Sequence, residues 1–312
     1  MISVTQAPPY LTVQDDGRPH SRHVGVPRGG AMDTFALRAG NALVGNAIRA
    51  AALEWALGGG SLRFETGCAF ALSGATANAK LAGRTVEPWT ATEAVSGDVL
   101  EVGAIAPGRF LYVAVAGGID VPVLLGSRAT YLPGKFGGHE GRSLRKGDRL
   151  VCLQEISGGR TKKLRLPPDL LPRYRVGVVH IIRGPQADLF DREAWDTLLG
   201  AEYRISASSD RTGYRLDGHP VPNTGRSLPS EPGCAGAIQI PGDGNPIVLM
   251  ADAPTIGGYP KIAVVSEADL PIIAQCAPGD SIRFELATVE QSQRALRKRS
   301  ADVERIRQLA SS

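Results

Sequence analysis

This chain has little cysteine and few aromatic residues, which make up 5% of its 312 positions. Its four cysteines are widely separated and form no Cys-x-x-Cys pair, so we predict buried, reduced thiols rather than a disulfide framework; they are Cys68, Cys152, Cys234 and Cys276. No run approaches the roughly 18 apolar residues of a membrane-spanning helix. Residues 1–6 carry neither the basic nor the apolar region of a targeting signal. We therefore predict a cytoplasmic protein with no membrane partner.

An excess of one charge is also absent. The net charge is +4, and no dense basic cluster lies in the part expected to fold, so we predict no nucleic-acid partner. The sequence contains no Gly-x-x-x-x-Gly-Lys-Ser/Thr run for nucleotide phosphates and no Gly-x-Ser-x-Gly nucleophile turn. His20 and His23 have ligand-like spacing, but no third ligand lies near them, so we predict no metal site. No lysine lies in a Met-Lys-Met setting, so the chain is not itself a biotin carrier.

Glycine and proline, by contrast, are abundant at 38 and 22 residues, and they punctuate short apolar segments such as 110–115 and 262–265. This spacing favours a barrel or a sandwich of short strands. A Gly-Asp turn followed by an alternating apolar segment recurs at residues 97, 147 and 279, which hints at two related β-domains.

The polar, proline-rich stretch 157–173 is typical of a linker. It predicts an N-terminal β-barrel domain at 1–160, a C-terminal β-barrel domain at 174–287 and a helical or disordered tail at 288–312. Helices are expected only at 33–44, near 186–199 and in the tail.

The run 13–33 is rich in glycine, acids and arginine and leads into the first predicted helix, with Asp33 as its N-cap. A helix N-terminus presents unpaired N–H groups and the positive end of the helix dipole, which together favour an anion. Arg18 and Arg28 would strengthen such a site through charge-assisted hydrogen bonds. The alternative is a tight surface turn before an ordinary amphipathic helix.

Four blocks of sequence carry a family resemblance: 13–33, 114–142, 209–216 and 236–261. In this order they resemble the carboxyltransferase-like family that includes allophanate hydrolase subunit 2, the sporulation protein KipA and the C-subunit of the prokaryotic 5-oxoprolinase. The resemblance covers residues 10–285 and implies a mainly β fold with cyclophilin-like β-barrels.

The resemblance also implies work in a complex. The expected partner is a KipI-like or allophanate hydrolase subunit 1-like protein, joined in the 5-oxoprolinase case by a LamB/YcsF-like subunit. That system hydrolyses the lactam of 5-oxoproline to glutamate with ATP. We therefore predict a subunit of an ATP-dependent lactam hydrolase, with ATP bound by this chain or by a partner.

Candidate site residues follow from their positions in these blocks. The resemblance implies Asp33 or Asp252 as acid/base and Lys261 as an electrostatic stabiliser. Substrate or anion binding is expected of further residues in the same blocks: Arg18, Arg28, Arg128, Arg142, Arg211, Tyr214 and Tyr259. The alternative for each arginine or aspartate is an ion pair that ties loops together at a barrel rim.

One segment departs from the family pattern. Residues 253–256 read Ala-Pro-Thr-Ile where the family usually has Arg-Gln-Thr-Thr, and Thr212 stands where methionine is common. This departure keeps two other functions open. One is a carboxyltransferase subunit that handles a biotin-borne carboxyl group, as in urea carboxylase. The other is a regulator like KipA that binds a kinase inhibitor without turnover.

Overall fold

The computed structural model describes residues 1–153, 164–174, 177–223 and 228–311. The chain divides into two compact units: unit 1 comprises Met1–Arg18, Gly29–Pro172 and Ser300–Ser312, and unit 2 comprises Pro19–Arg28 and Arg173–Arg299. Residues 157–163 of the predicted linker lie outside the described residues, and the predicted domain boundaries stay a prediction. No helix in the described ranges is long and apolar enough to cross a membrane.

The described strands of unit 1 form two sheets. A seven-stranded sheet has the order β11-β12-β1-β4-β9-β6-β7, and a five-stranded sheet has the order β2-β3-β10-β5-β8. The strands are β1 Ile2–Gln6, β2 Tyr10–Gln14, β3 Ala52–Ala56, β4 Gly60–Phe64, β5 Cys68–Gly74, β6 Ala77–Leu81, β7 Arg84–Thr85, β8 Ala91–Ala94, β9 Val99–Ile105, β10 Phe110–Val115, β11 Ile119–Asp120 and β12 Arg149–Cys152.

The core of unit 1 is built from side chains of both sheets, including the fully buried Trp55, Phe64 and Phe70. Helix α1, Thr34–Leu43, packs against β5, where the Ser73 hydroxyl donates to the carbonyl of Ala36 at 2.8 Å. This contact anchors the first turn of the helix to the sheet.

Unit 2 contains a closed barrel with the order β13-β20-β17-β18-β15-β14-β21 and a separate two-stranded sheet, β16-β19. Its strands are β13 Val178–Arg183, β14 Tyr203–Ile205, β15 Gly213–Asp217, β16 Glu231–Pro232, β17 Ala237–Gln239, β18 Ile247–Leu249, β19 Ile256–Gly257, β20 Lys261–Val265 and β21 Ser281–Leu286. Its helices are α2 Arg192–Gly200, α3 Leu270–Ala274 and α4 Val289–Ser311, whose residues from Ser300 onward count with unit 1.

The structure confirms the prediction of a mainly β fold with few helices and corrects three details. The helix expected at 186–199 begins only at Arg192, because Asp191 caps it by accepting from the Ala194 N–H. A short 3-10 turn, Ala187–Leu189, precedes this helix. Helix α3 is an element that the sequence did not predict.

The prediction that all four thiols are buried is wrong for Cys234, which is exposed. Burial raises the pKa of the Cys68 thiol to about 12.

The three Gly-Asp turns share one local geometry. Each glycine has a φ between 92° and 95°, and each following aspartate accepts from the N–H three residues before it; the pairs are Asp98 with Val95, Asp148 with Arg145 and Asp280 with Ala277. A strand begins directly after each turn, at Val99, Arg149 and Ser281. The aspartate closes a turn that only glycine adopts without strain.

Candidate functional site

In unit 1, a buried aspartate organises the predicted anion-binding loops. The carboxylate of Asp15 accepts from the Gly17 N–H at 2.8 Å, from the Ser127 hydroxyl at 2.6 Å and from the Arg128 N–H at 2.6 Å. Residues more than 100 positions apart are thus held at one carboxylate. The position of Arg128 therefore depends on Asp15.

Arg18 is fully buried beside the same loops. Its Nη2 donates to the carbonyl of Ala129, and its guanidinium carbon lies 5.1 Å from the centroid of the Phe136 ring. A Cβ on Gly137, at φ 72°, would lie 2.1 Å from that carbonyl oxygen and 2.8 Å from Nη2. Only glycine fits there, and Arg18 contributes to positioning the loop.

Substituting Gly138 by alanine should lower the free energy of unfolding by about 2–3 kcal/mol. The glycine has φ 56°, and an added Cβ would lie 1.9 Å from the Thr130 Oγ1, which donates to the carbonyl of Val13. Denaturant unfolding measures the effect. Gly126→Ala is the matched control, because its φ is 76° and nothing lies within 4 Å of the added atom. Equal losses in the two variants would contradict the steric argument.

Arg128 is the most available of the predicted anion binders in unit 1. Its side chain is 33% exposed and reaches the Asp120 carboxylate only at 3.3 Å. Its buried Nε has no hydrogen-bond partner among the described residues. A buried donor without a partner is costly, so an acceptor from a bound anion would satisfy it.

Arg142 is instead engaged with protein carboxylates. Its guanidinium donates to both oxygens of Asp148, at 2.6 and 3.0 Å, and to Glu140 at 2.7 Å. These hydrogen bonds from Arg142 are the main reason that the pKa of Asp148 lies below its usual value. Arg142 thus ties the second Gly-Asp turn to the glycine loop that precedes it in the chain.

Substituting Asp148 by asparagine should cost about 1 kcal/mol of stability at pH 7, and less in acid. Because the folded-state pKa is lowered, the contribution is complete above the unfolded pKa of about 3.9 and is lost as pH falls through the folded value. Unfolding curves at neutral and acid pH test this. Asp98→Asn is the control, since Asp98 closes an equivalent turn with no arginine among its described partners. A loss independent of pH would contradict the account.

Asp33 lies at a different kind of position. It is fully buried, and its carboxylate accepts from the Ala36 N–H at 2.9 Å as the N-cap of α1. Its own N–H donates to the Tyr112 hydroxyl, which donates to Glu54 at 2.6 Å. Burial and the Glu54 charge raise the pKa of Tyr112 well above its usual value. The capping role predicted for Asp33 is confirmed, and its carboxylate is engaged in it.

In unit 2, Arg211 and Asp252 form a buried bidentate pair. The Arg211 Nε lies 2.9 Å from one Asp252 oxygen and Nη2 lies 3.0 Å from the other. A backbone hydrogen bond also joins the two residues, since the Asp252 N–H donates to the Arg211 carbonyl. The pair joins the loop before β15 to the loop after β18, as the rim ion-pair alternative expected.

Lys261 is almost fully buried, and its ammonium meets one carboxylate. Nζ donates to Glu231 at 3.1 Å, and the Gln186 Nε2 donates to the same oxygen at 2.6 Å. The Lys261 N–H in turn donates to the Gln186 Oε1. Glu231 is 42% exposed, so this lysine lies at the inner end of a site that opens to solvent through Glu231.

The segment 253–256, which departs from the family pattern, adjoins this lysine site. Glu231 lies on β16, which pairs with β19 at Ile256 and Gly257. The Arg22 side chain binds the main chain of this segment: its Nη2 donates to the Pro254 carbonyl at 3.2 Å and to the Thr255 carbonyl at 3.3 Å. The same Nη2 donates to the Gly233 carbonyl on the neighbouring chain segment.

The remaining predicted residues differ in access. Tyr214 is fully buried, and its hydroxyl donates to the Ala274 carbonyl at 3.1 Å. Tyr259 is 50% exposed and lies two residues before Lys261. Arg28 is partly buried.

Sequence reasoning did not select five residues that organise these clusters: Asp15, Arg22, Ser127, Gln186 and Glu231. Asp15, Arg22 and Ser127 lie within the quoted blocks, so the blocks signalled them. Gln186 and Glu231 lie outside every block, and only the fold reveals them. Within the described ranges, no group of three His, Cys, Asp or Glu side chains could hold a metal.

Residues 24–286 match the family described as carboxyltransferase domain, subdomain A and B. This match covers most of the chain, so the chain belongs to that family, and the resemblance seen in the sequence is confirmed.

Among its relatives, the chain is 39% identical over 297 residues to the 5-oxoprolinase C-subunit of Escherichia coli, covering 95% of this chain and 94% of that protein. It is 34% identical to the Haemophilus influenzae protein of the same name, covering 99% and 98%. The urea amidolyase of K. lactis superposes with a TM-score of 0.91 at 30% identity, covering 98% of this chain and 20% of that one. The chain thus spans about a fifth of that larger protein.

Proposed function

We propose that this chain is a subunit of an ATP-dependent lactam hydrolase of the 5-oxoprolinase type, which converts 5-oxoproline to glutamate. The observation that carries the proposal is the 39% identity to the E. coli 5-oxoprolinase C-subunit over nearly the full length of both proteins.

The proposed chemistry explains the use of ATP. An unstrained five-membered lactam is a poor electrophile, and transfer of the γ-phosphoryl group of ATP to its amide oxygen, with release of ADP, activates the ring carbon. Water then attacks that carbon, the ring C–N bond breaks to free the amino group, and a second water releases phosphate from the resulting acyl phosphate. Such a reaction needs cations for the phosphate and the substrate carboxylate, and a carboxylate for the attacking water. This chain has no Gly-x-x-x-x-Gly-Lys-Ser/Thr run, and we place ATP on a partner subunit.

Roles for side chains are proposed within each unit. In unit 2, Lys261 stabilises developing negative charge, since its ammonium is buried and Glu231 and Gln186 hold its surroundings in place. Arg211 and Asp252 engage each other and position the loops after β18 and before β15. In unit 1, Arg128 binds an anion, and Asp15 holds its backbone.

The expected partners are a KipI-like subunit and a LamB/YcsF-like subunit. The proposal is tested by co-expressing the three chains and measuring ATP-dependent glutamate release from 5-oxoproline. Release that needs all three supports it, and we expect the isolated chain to be inactive.

Carboxyl transfer is the second candidate, favoured by the TM-score of 0.91 to K. lactis urea amidolyase. In this case the chain would receive a carboxyl group from biotin on a separate carrier. Co-purification with a biotin carboxylase, and carboxylation of an amide substrate, would favour it over hydrolysis. A stable complex with a KipI-like protein but no turnover would instead favour a KipA-like regulator.

Arg128→Ala should raise the KM for 5-oxoproline by about 10-fold or more, because a charged hydrogen-bond donor to the substrate carboxylate is lost. Steady-state kinetics of the three-chain complex measure it. Arg145→Ala is the control, because it removes an exposed arginine that is not among the residues bound to Asp15. An unchanged KM with unchanged kcat would remove Arg128 from the site.

A further inference from the structure

A pocket lies in unit 2, formed by residues of the barrel and of the first turns of helix α4. Its volume is about 350 Å³, within the range of small-molecule sites. Its polar lining comes from His180, Ser266, Asp269, Glu285, Gln291 and Ser292. None of these residues takes part in the function proposed above.

A histidine–aspartate pair lies in one wall of the pocket, and the aspartate orients the imidazole. The His180 Nδ1 lies 2.7 Å from the Asp269 Oδ2, and the His180 N–H donates to the same oxygen at 2.8 Å. In the neutral imidazole, Nδ1–H donates to the carboxylate, so Nε2 is left as an acceptor. The side chain is 51% exposed, which leaves that acceptor open to a ligand.

A second carboxylate lies beside this pair. Glu285 is the register partner of His180 in the parallel pairing of β13 and β21. Its exposed side chain makes no hydrogen bond or ion pair with another described residue. Asp269 and Glu285 thus place two carboxylates in the lining of the pocket.

The side of the pocket formed by helix α4 offers a hydrogen-bond acceptor, and the N-terminus of α4 does not form an anion site. Thr288 and Gln291 cap α4 reciprocally: the Gln291 N–H donates to the Thr288 Oγ1, and the Gln291 Oε1 accepts from the Thr288 N–H. The capping box therefore satisfies N–H groups that would otherwise attract an anion. The buried Ser292 Oγ has no hydrogen-bond partner among the described residues.

We propose that this pocket binds the ammonium group of a small aliphatic amine. The Glu285 carboxylate, the His180 Nε2 and the Ser292 Oγ accept its three N–H bonds, and the carbon chain lies against Leu286 and Ala295. The opposite charge of Glu285 makes this a charge-assisted contact, and it satisfies the unpartnered serine.

The test uses n-butylammonium as the probe and butyrate as the matched anion, on the full chain at about pH 8. The chain has five histidines, so each ring signal can be resolved by NMR, and His180→Asn assigns the relevant one. We expect n-butylammonium to shift the His180 signal with a Kd on the order of 5 mM, and butyrate to leave it unchanged.

Two variants locate the ammonium. Glu285→Gln should weaken n-butylammonium binding at least about 5-fold, and Ser292→Ala about 3-fold. Glu267→Gln is the control, because Glu267 is exposed next to Ser266 but does not line the pocket. Thermal unfolding of each variant checks that the fold is intact.

Three results would overturn the proposal: no shift of the His180 signal at about ten times the expected Kd, equal binding of butyrate, or full affinity in folded Glu285→Gln. None of these results depends on lactam hydrolysis, so the test of this pocket is independent of the test of the proposed function.

Discussion

Lys261→Met should lower kcat of the reconstituted three-chain complex by about 100- to 1,000-fold. The ammonium is buried, with its side chain 5% exposed, so the surroundings screen its charge weakly and its removal deprives the transition state of a preorganised cation. Methionine keeps the length and apolar character of the stem, so the barrel strand β20 should keep its packing.

The fold of this variant should survive because Glu231 keeps a hydrogen bond from Gln186 and is partly open to water. Circular dichroism and complex formation check this. Lys80→Met on the exposed face of β6 is the matched control and should retain full activity. Activity of the folded Lys261→Met complex within about 3-fold of the parent would rule out Lys261 as an electrostatic stabiliser.

Asp252→Ala should lower the free energy of unfolding by about 3–5 kcal/mol, because it leaves the buried Arg211 guanidinium without its carboxylate. The loss should show as a lower midpoint of denaturant unfolding with an unchanged slope. Such a loss would mean that the pair stabilises the fold and affects activity only by positioning the two loops that it joins.

A double variant distinguishes the effect of losing one charge of the pair from the effect of losing both. Arg211→Met combined with Asp252→Leu removes both charges together, so it should recover most of the stability lost in Asp252→Ala. If the double variant is as unstable as the single one, or if Asp252→Ala costs less than about 1 kcal/mol, the buried pair does not have the stated role.

The sequence predicted the features that depend on neighbouring residues. Asp33 was recognisable as the N-cap of α1 because the cap and its N–H partner are three residues apart. The Gly-Asp turns were recognisable for the same reason, and each aspartate does close its turn locally. The mainly β character followed from the spacing of short apolar segments.

The clusters depend on long-range pairing and were not predictable from local pattern. Asp15 meets Ser127 across 112 positions, and Lys261 meets Glu231 across 30. Glu231 lies on a strand of two residues, whose sequence carries no alternation to recognise. Family position pointed to Lys261 and Arg128, but only the fold shows which carboxylates surround them.

The fold also separates the predicted arginines by what they bind. Arg142 and Arg211 each meet a carboxylate with two hydrogen bonds, whereas Arg128 keeps a donor without a partner among the described residues. Motif position alone gave all of them the same role. The difference arises from which loops the strands bring together.

The most direct test of the account is glutamate release from 5-oxoproline by this chain co-expressed with its KipI-like and LamB/YcsF-like partners, with and without ATP. We predict release that requires ATP and all three chains. A stable three-chain complex that takes up 5-oxoproline and ATP but releases no glutamate would contradict the proposed lactam hydrolysis.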